Sequence, residues 1–234
     1  MKIGIIGSAS VAQVLGKKFL ELGHEVMLSS RDITKEKDFG ERGKLPSAKK
    51  WASENVALGK KAFAGSFKDA AKFGELLVNC TTGAHSLEAL RSAGKENFKG
   101  KILIDLANPL DFSKGMPPTL SICNTTSLGE EIQTQFPEAK VVKTLNTVTA
   151  ELMVNPGMLK GSHDLFVCGN NNEAKKWVKA ELLTKWLGWK TVLDLGDIKA
   201  ARGLEMYLPL WLQLFGSLGT PYLNIHIETQ IVKK

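Results

Sequence analysis

Short apolar, β-branched runs alternate with amphipathic stretches along almost the whole chain. Lys2–Ile6 is one such run, closed by Gly7, and reads as a buried parallel strand. Val11, Leu15, Phe19 and Leu22 then recur at helical spacing, and Gly23 supplies the glycine that ends a helix. Glu25–Ser29 comes next as a second strand, which makes a unit of about 30 residues, the size of a βαβ crossover. Further strands are expected at residues 61–64, 76–81, 101–106, 140–145, 164–168 and 191–195. Helices are expected between them at Phe67–Phe73 and at residues 86–93, 127–136 and 173–187. This repeated alternation predicts an α/β fold: a doubly wound, Rossmann-type, mostly parallel sheet with helices on both faces.

Three regions depart from the rhythm. Residues 32–60 are polar and lysine-rich and contain Pro46, so they are expected to hang outside the sheet as a loop or short helix. Residues 111–124 contain Pro117-Pro118 and read as a surface excursion. Residues 197–215 form an amphipathic C-terminal helix, with Asp197 as N-cap and Leu204, Leu208, Trp211, Leu212 and Phe215 on one face. Pro209 predicts a kink there or a break into two helices. The apolar stripe suits core packing, a dimer contact or a cover over a flat aromatic ligand, and the pattern leaves all three open. The expected division is a Rossmann-type domain over residues 1–195 and a C-terminal helical extension over 196–234.

Composition narrows the function classes. Hydrophobic residues at 43% and charged residues at 24% are globular values and exclude disordered and fibrous classes. With 31 Lys and Arg against 24 Asp and Glu, the net charge of +7 suits an anionic ligand. The longest apolar stretch, residues 207–218, is interrupted by Pro209, Gln213 and Gly216 and falls short of the roughly 20 residues that span a bilayer. The N-terminal apolar run is too short for a signal peptide, so neither a membrane partner nor a cleaved leader is expected. Cys80, Cys123 and Cys168 are odd in number and lack metal-ligand spacing, which argues against a disulfide framework and against a metal site. Reduced thiols fit a cytoplasmic location. The lysine pairs Lys17-Lys18, Lys49-Lys50 and Lys60-Lys61 are scattered and carry no nucleic-acid motif, so they read as solvated faces.

The first turn has the chemistry of a diphosphate site. Against the fingerprint G-x-G-x-x-G/A, the chain reads Gly7-Ser8-Ala9-Ser10-Val11-Ala12. Gly7 can make the tight turn and Ala12 is small enough for helix-on-strand packing. Ala9 places a methyl where the backbone should approach the diphosphate, yet it removes no N–H, so weakened or shifted binding is expected. The second strand ends Ser29-Ser30-Arg31, where an NAD-selective site would carry a carboxylate for the ribose 2′-hydroxyl. A hydroxyl and a guanidinium there, with Lys35 one turn on, select a 2′-phosphate and hence NADP(H) over NAD(H). The alternative is that Arg31 pairs with Asp32 or faces solvent.

Ligands of such folds sit at the carboxyl ends of the strands. Those ends carry Cys80-Thr81-Thr82-Gly83 with His85 close behind, then Asn108-Pro109, then Asn146-Thr147. Small, hydroxyl and amide groups of this kind suit a ribose or a nicotinamide carboxamide, although each alone could be an ordinary loop cap. No catalytic residue is assigned: no Ser-His-Asp set exists, Cys80 in an apolar strand is expected to be inert, and hydride transfer between two flat rings requires only positioning. Reduction of a carbonyl would need a proton donor; Lys143 and His85 are the candidates, with Lys143 expected to be structural.

Several segments resemble the NADPH-dependent reductases of the deazaflavin coenzyme: the opening stretch through GHEVMLSSRD, then GSFKDAAKFGELLVNC, ILIDLANP, VVKTLNTVTAELMVNP, LFVCGNNNEAKKWV and ARGLEMYLPLWL. The resemblance implies NADPH along Ser8, Ala9, Ser10 and Val11, with Ser30, Arg31 and Lys35 at the 2′-phosphate. It implies Thr81, Thr82 and His85 near the ribose and nicotinamide, and Asn108 and Asn146 beside the ring. It also implies a deazaflavin or flavin as second substrate, a cover formed by residues 207–215, and a homodimer through the C-terminal helices. Competing readings are an NADPH-dependent carbonyl or imine reductase and a non-catalytic NADPH sensor.

Overall fold

In the computed structural model, which describes residues 1–38 and 43–230, eight strands form the central sheet. They are β1 Lys2–Ile6, β2 Glu25–Ser29, β3 Ala62–Gly65, β4 Leu76–Asn79, β5 Ile102–Asp105, β6 Lys140–Thr144, β7 Leu165–Cys168 and β8 Val192–Asp194. Across the sheet their order is β3-β2-β1-β4-β5-β6-β7-β8. From β3 to β6 every pairing is parallel, β7 runs antiparallel to β6, and β8 is parallel to β7. The fold is therefore the α/β, Rossmann-type arrangement that the alternation predicts. The strands are apolar on both sides because both faces are covered: Ile3, Ile5, Ile6, Leu77, Leu103 and Ile104 are fully buried.

The helices are α1 Ser10–Glu21, α2 Ala48–Ala57, α3 Phe67–Phe73, α4 Gly83–Ser92, α5 Leu128–Gln135, α6 Ala150–Val154, α7 Asn172–Trp177 and α8 Ala201–Leu218. The second half of the helix expected over residues 173–187 is wound as a π-helix, Val178–Trp186. Helices α1, α2, α6 and α7 pack on one face of the sheet around Leu15, Phe19, Leu152 and Val178. Helices α3, α4, α5 and α8 pack on the other around Ala70, Leu90, Ile132 and Leu204.

One expectation is corrected and one is narrowed. The short helix expected within residues 32–60 forms as α2, but it packs against the sheet rather than hanging free: it turns Ala48, Trp51 and Ala52 inward, and these join the core formed by α1 and β2. The indole of Trp51 fills the space over Gly16, where an added Cβ would meet it at 2.9 Å. One buried tryptophan at helical spacing with two alanines outweighs the lysines around it, which stay on the wet side. A short hairpin, Lys37–Asp38 against Lys44–Leu45, precedes this helix; residues 39–42 of the predicted loop lie outside the described residues.

Of the two outcomes expected at Pro209, a break does not occur: the C-terminal helix runs 18 residues through it. Proline withdraws one N–H from the ladder, but buried residues on the N-terminal side of Pro209, Leu204, Glu205 and Leu208, hold the helix in place. Residues 111–124 are the expected surface excursion, closed by a hairpin between Leu110–Asp111 and Thr119–Leu120. Beyond α8 the chain returns along β7: Asp164 N–H donates to the Ile225 carbonyl, and Ile227 N–H donates to Asp164 Oδ2 at 2.7 Å.

Candidate functional site

The strand order reverses between β1 and β4, so the connections after them leave in opposite directions and open a cleft at their carboxyl ends. The cleft has two chambers that share Cys80 and Thr81 on their walls. The larger, of about 570 Å³, is lined by Gly7, Ser8, Ala9, Ser30, Arg31, Lys35, Thr82 and His85. The smaller, of about 280 Å³, is lined by Ser10, Val11, Asn108 and Asn146, with Leu208 and Trp211 of α8 opposite. The candidate residues read from the sequence thus converge on one continuous cleft.

The turn after β1 is held tightly. Gly7 has φ +128°, and a Cβ there would stand 2.7 Å from the Cys80 carbonyl oxygen, so both conformation and space demand glycine. Ala9 has φ −82° and ψ −172°, extended backbone that alanine adopts without strain. Gln13 Nε2 donates to the carbonyl oxygens of Ser8 at 3.0 Å and Pro46 at 2.9 Å, pinning the turn to the loop before α2. Sequence reasoning misses Gln13, whose one signal is an amide on the inner face of α1.

Helices α2, α3, α5 and α7 carry side-chain caps from Ser47, Ser66, Ser127 and Asn171. Helices α1, α4, α6 and α8 carry none; α1 and α4 begin at the larger chamber, so their first amides and positive dipole ends are available to an anion there.

The far end of the larger chamber is cationic. Arg31 and Lys35 are joined there by Lys37, whose half-burial pushes its ammonium below the usual lysine range. In the sequence Lys37 is one lysine among many in a polar excursion. Arg31 does not pair with Asp32. Two bonds from Thr34, hydroxyl first and backbone N–H second, occupy that carboxylate and hold its pKa low. The guanidinium instead lies 3.8 Å from Glu88 Oε1 on α4, with His85 Nδ1 3.9 Å from Glu88 Oε2. All three side chains are mostly exposed, so these contacts are weak and easily exchanged for a stronger anion.

At the end of β4 the Thr81 hydroxyl turns inward, donating to Asn79 Oδ1 at 2.7 Å and meeting Ser86 Oγ at 2.6 Å. Burial, and then Asp105 nearby, push the Cys80 thiol far up, away from the thiolate form; burial likewise pushes Cys168 up to about 12. Leu145, at the end of β6, adopts φ +63° although it is 1% exposed. A left-handed leucine costs about 1–2 kcal/mol and persists only where its surroundings hold it. It turns the chain immediately before Asn146, which is 3% exposed and donates from Nδ2 to Asn108 Oδ1 and the Leu204 carbonyl. The Oδ1 of Asn146 has no protein partner among the described residues.

Lys143 does not reach the cleft. Its ammonium is fully buried, 2.9 Å from Asp105 Oδ2 and 2.8 Å from Glu205 Oε1, and it also donates to the Ala107 carbonyl. Burial alone would lower this ammonium, but the two carboxylates outweigh burial and hold it above the usual range. Sequence reasoning also misses Glu205, which stands there as one charge in an apolar helix. Among the described residues no cluster of metal-ligating side chains occurs, and no helix is long and apolar enough to cross a membrane.

Residues 2–109 match the family model described as NADP oxidoreductase, coenzyme F420-dependent. The F420-dependent NADP reductase of Methanocaldococcus jannaschii is 32% identical over 151 residues, covering 63% of this chain and 65% of that protein, just under two thirds of its length. A crystal structure from Arthrobacter sp. FB24, provisionally named an F420-dependent NADP-reductase, is 46% identical with a TM-score of 0.87, covering 98% of this chain and 100% of that one. An imine reductase from Myxococcus stipitatus, solved with NADP+, is 18% identical with a TM-score of 0.60, covering 93% of this chain and 64% of that one; it shares the fold.

Proposed function

We infer that this chain, because it belongs to the family of coenzyme F420-dependent NADP oxidoreductases, binds NADPH in its cleft and passes hydride to a flat acceptor of the deazaflavin or flavin type. The observation that carries the reading is one cleft with uncapped helix amides at its turn and three cations, Arg31, Lys35 and Lys37, at its far end. That spacing of anion sites matches a dinucleotide carrying an extra ribose phosphate.

The residues fit the cofactor one by one. The turn Ser8, Ala9, Ser10, Val11 faces the diphosphate with open N–H groups, and Ser30, Arg31 and Lys35 take the 2′-phosphate. Thr81, Thr82 and His85 flank the riboses. Asn108 and Asn146 lie beside the nicotinamide, where the unpartnered Asn146 Oδ1 would accept from the carboxamide N–H. Bound NADPH supplies the hydride; the protein's task is to orient two rings and exclude water. Leu208 and Trp211 of α8 provide an apolar wall for the acceptor in the smaller chamber.

A carbonyl or imine substrate would need a proton as well. Of the two candidates, Lys143 is sealed in an ion pair, which leaves the exposed His85 for that role. We further place the cofactor-binding part at residues 1–195 and the acceptor cover at 196–234. A homodimer contact fits the outer face of α8, where Leu210, Phe215 and Leu218 are exposed.

The test is a turnover screen of NADPH and NADH with coenzyme F420, FMN and FAD as acceptors. NADPH oxidation with the deazaflavin, at a higher rate than with NADH, is the expected result. No oxidation of NADPH by any of the three would remove the proposal.

A further inference from the structure

One buried cluster, a cation between two carboxylates, plays no part in hydride transfer. Lys143 on β6, Asp105 on β5 and Glu205 on α8 are each no more than 1% exposed. Lys143 Nζ bridges the two acids at 2.9 and 2.8 Å. Glu205 also closes the open end of α5: its Oε2 accepts from Leu128 N–H at 2.8 Å and its Oε1 from Gly129 N–H at 3.0 Å. Asp105 Oδ1 accepts from Asn79 Nδ2 at 2.8 Å, and Asn79 Oδ1 in turn accepts from the Thr81 hydroxyl at 2.7 Å. An unbroken run of hydrogen bonds therefore joins Thr81, on the wall of the cleft, to the second turn of the C-terminal helix.

Apolar side chains of similar volume would fill this space without the heavy desolvation that buried charges incur. What the ionic set adds is a fixed position: charge-assisted bonds from β6 and from α5 leave the Glu205 carboxylate one place to sit. That place fixes the next two turns of α8. Leu208 and Trp211, one and two turns further on, line the smaller chamber. The residue before Glu205 is tied as well, because the Leu204 carbonyl accepts from Asn146 Nδ2 at 3.2 Å.

We propose that Glu205, held by Lys143, is a positioning residue that sets the height and rotation of α8, and with them the gap between the Leu208–Trp211 wall and the Asn108–Asn146 pair. The proposal rests on the reading of the smaller chamber as the acceptor site.

Glu205→Gln tests it. The variant keeps the side-chain shape and leaves Lys143 and Asp105 as a balanced pair, but an amide nitrogen replaces one accepting oxygen, so one bond to α5 is lost. The expected result is an NADPH Kd within about twofold of wild type and an acceptor kcat/KM reduced about tenfold or more. Hydrogen exchange should quicken in residues 201–218 and stay unchanged in α1. Equal losses for cofactor and acceptor, or none, would show a merely structural or dispensable group and overturn the proposal. Should Glu205→Gln fail to fold, Glu205→Asp keeps the charge but shortens its reach, and the same acceptor-selective loss is expected; wild-type kinetics from it would be contrary. If the wild-type chain turns over no acceptor, the acceptor reading falls separately, and exchange in α8 still decides whether Glu205 positions the helix.

Discussion

Asn108 and Asn146 grip each other across the ends of β5 and β6: Asn108 Nδ2 donates to the Asn146 backbone carbonyl at 2.9 Å, and Asn146 Nδ2 donates to Asn108 Oδ1 at 2.9 Å. The two amides lock these strand ends together and leave Asn146 Oδ1 buried without a donor among the described residues. Asn146→Ala strips Asn108 Oδ1 and the Leu204 carbonyl of their donor. A stability loss of about 1–3 kcal/mol in urea unfolding is expected. Hydride transfer should fall by more than that instability explains, because the carboxamide loses its acceptor.

Lys143 stands between two buried carboxylates. Replacing it with methionine leaves both acids without their counter-charge, which is expected to cost about 3–5 kcal/mol in equilibrium unfolding. A loss below about 1 kcal/mol would mean that the acids take up protons at little cost.

Glu130 ties α5 to α8 through Arg202, with Oε2 2.8 Å from Nε and Oε1 2.6 Å from Nη2. The Arg202 bonds, partly opposed by burial and aided by Ser127, hold the Glu130 carboxyl below its ordinary value of 4.5. Its folded pKa is depressed, so this contribution to stability is present above pH 4.5 and is lost as pH falls through the folded value. Glu130→Gln should therefore lower stability at neutral pH and flatten the decline on the acid side. Thermal unfolding across that range checks both.

Ala9 occupies the place of the fingerprint's second glycine in a backbone conformation open to any residue. On the proposed cofactor site its methyl would limit the approach of the diphosphate, so Ala9→Gly should tighten NADPH binding by about two- to fivefold. Equilibrium titration distinguishes this from no change.

The sheet was legible because its strands carry dense β-branched runs between glycines, and the strand ends at Ser30-Arg31, Thr81-Thr82, Asn108 and Asn146 follow from the sheet. What stayed hidden depends on partners distant in sequence. Trp51 looks like part of a polar insert until Gly16 makes room for it. Glu205 acquires its meaning only from Lys143, 62 positions earlier, and from two amides of α5. Glu88 faces Arg31 only once folding brings α4 near the segment that follows β2. Lys143 was legible as a strand lysine, but its burial between two carboxylates depends on Asp105 and Glu205, far from it in sequence.

The central claim rests on Arg31 as the reader of the 2′-phosphate. Titrating NADPH and NADH against the wild-type chain and Arg31→Ala tests it most directly. The wild type should bind NADPH more tightly, and the variant should lose about 1.5–3 kcal/mol of NADPH affinity, roughly ten- to hundredfold, with NADH little changed. Equal affinity of the wild type for both nucleotides, or an unaltered NADPH affinity in the variant, would contradict the account.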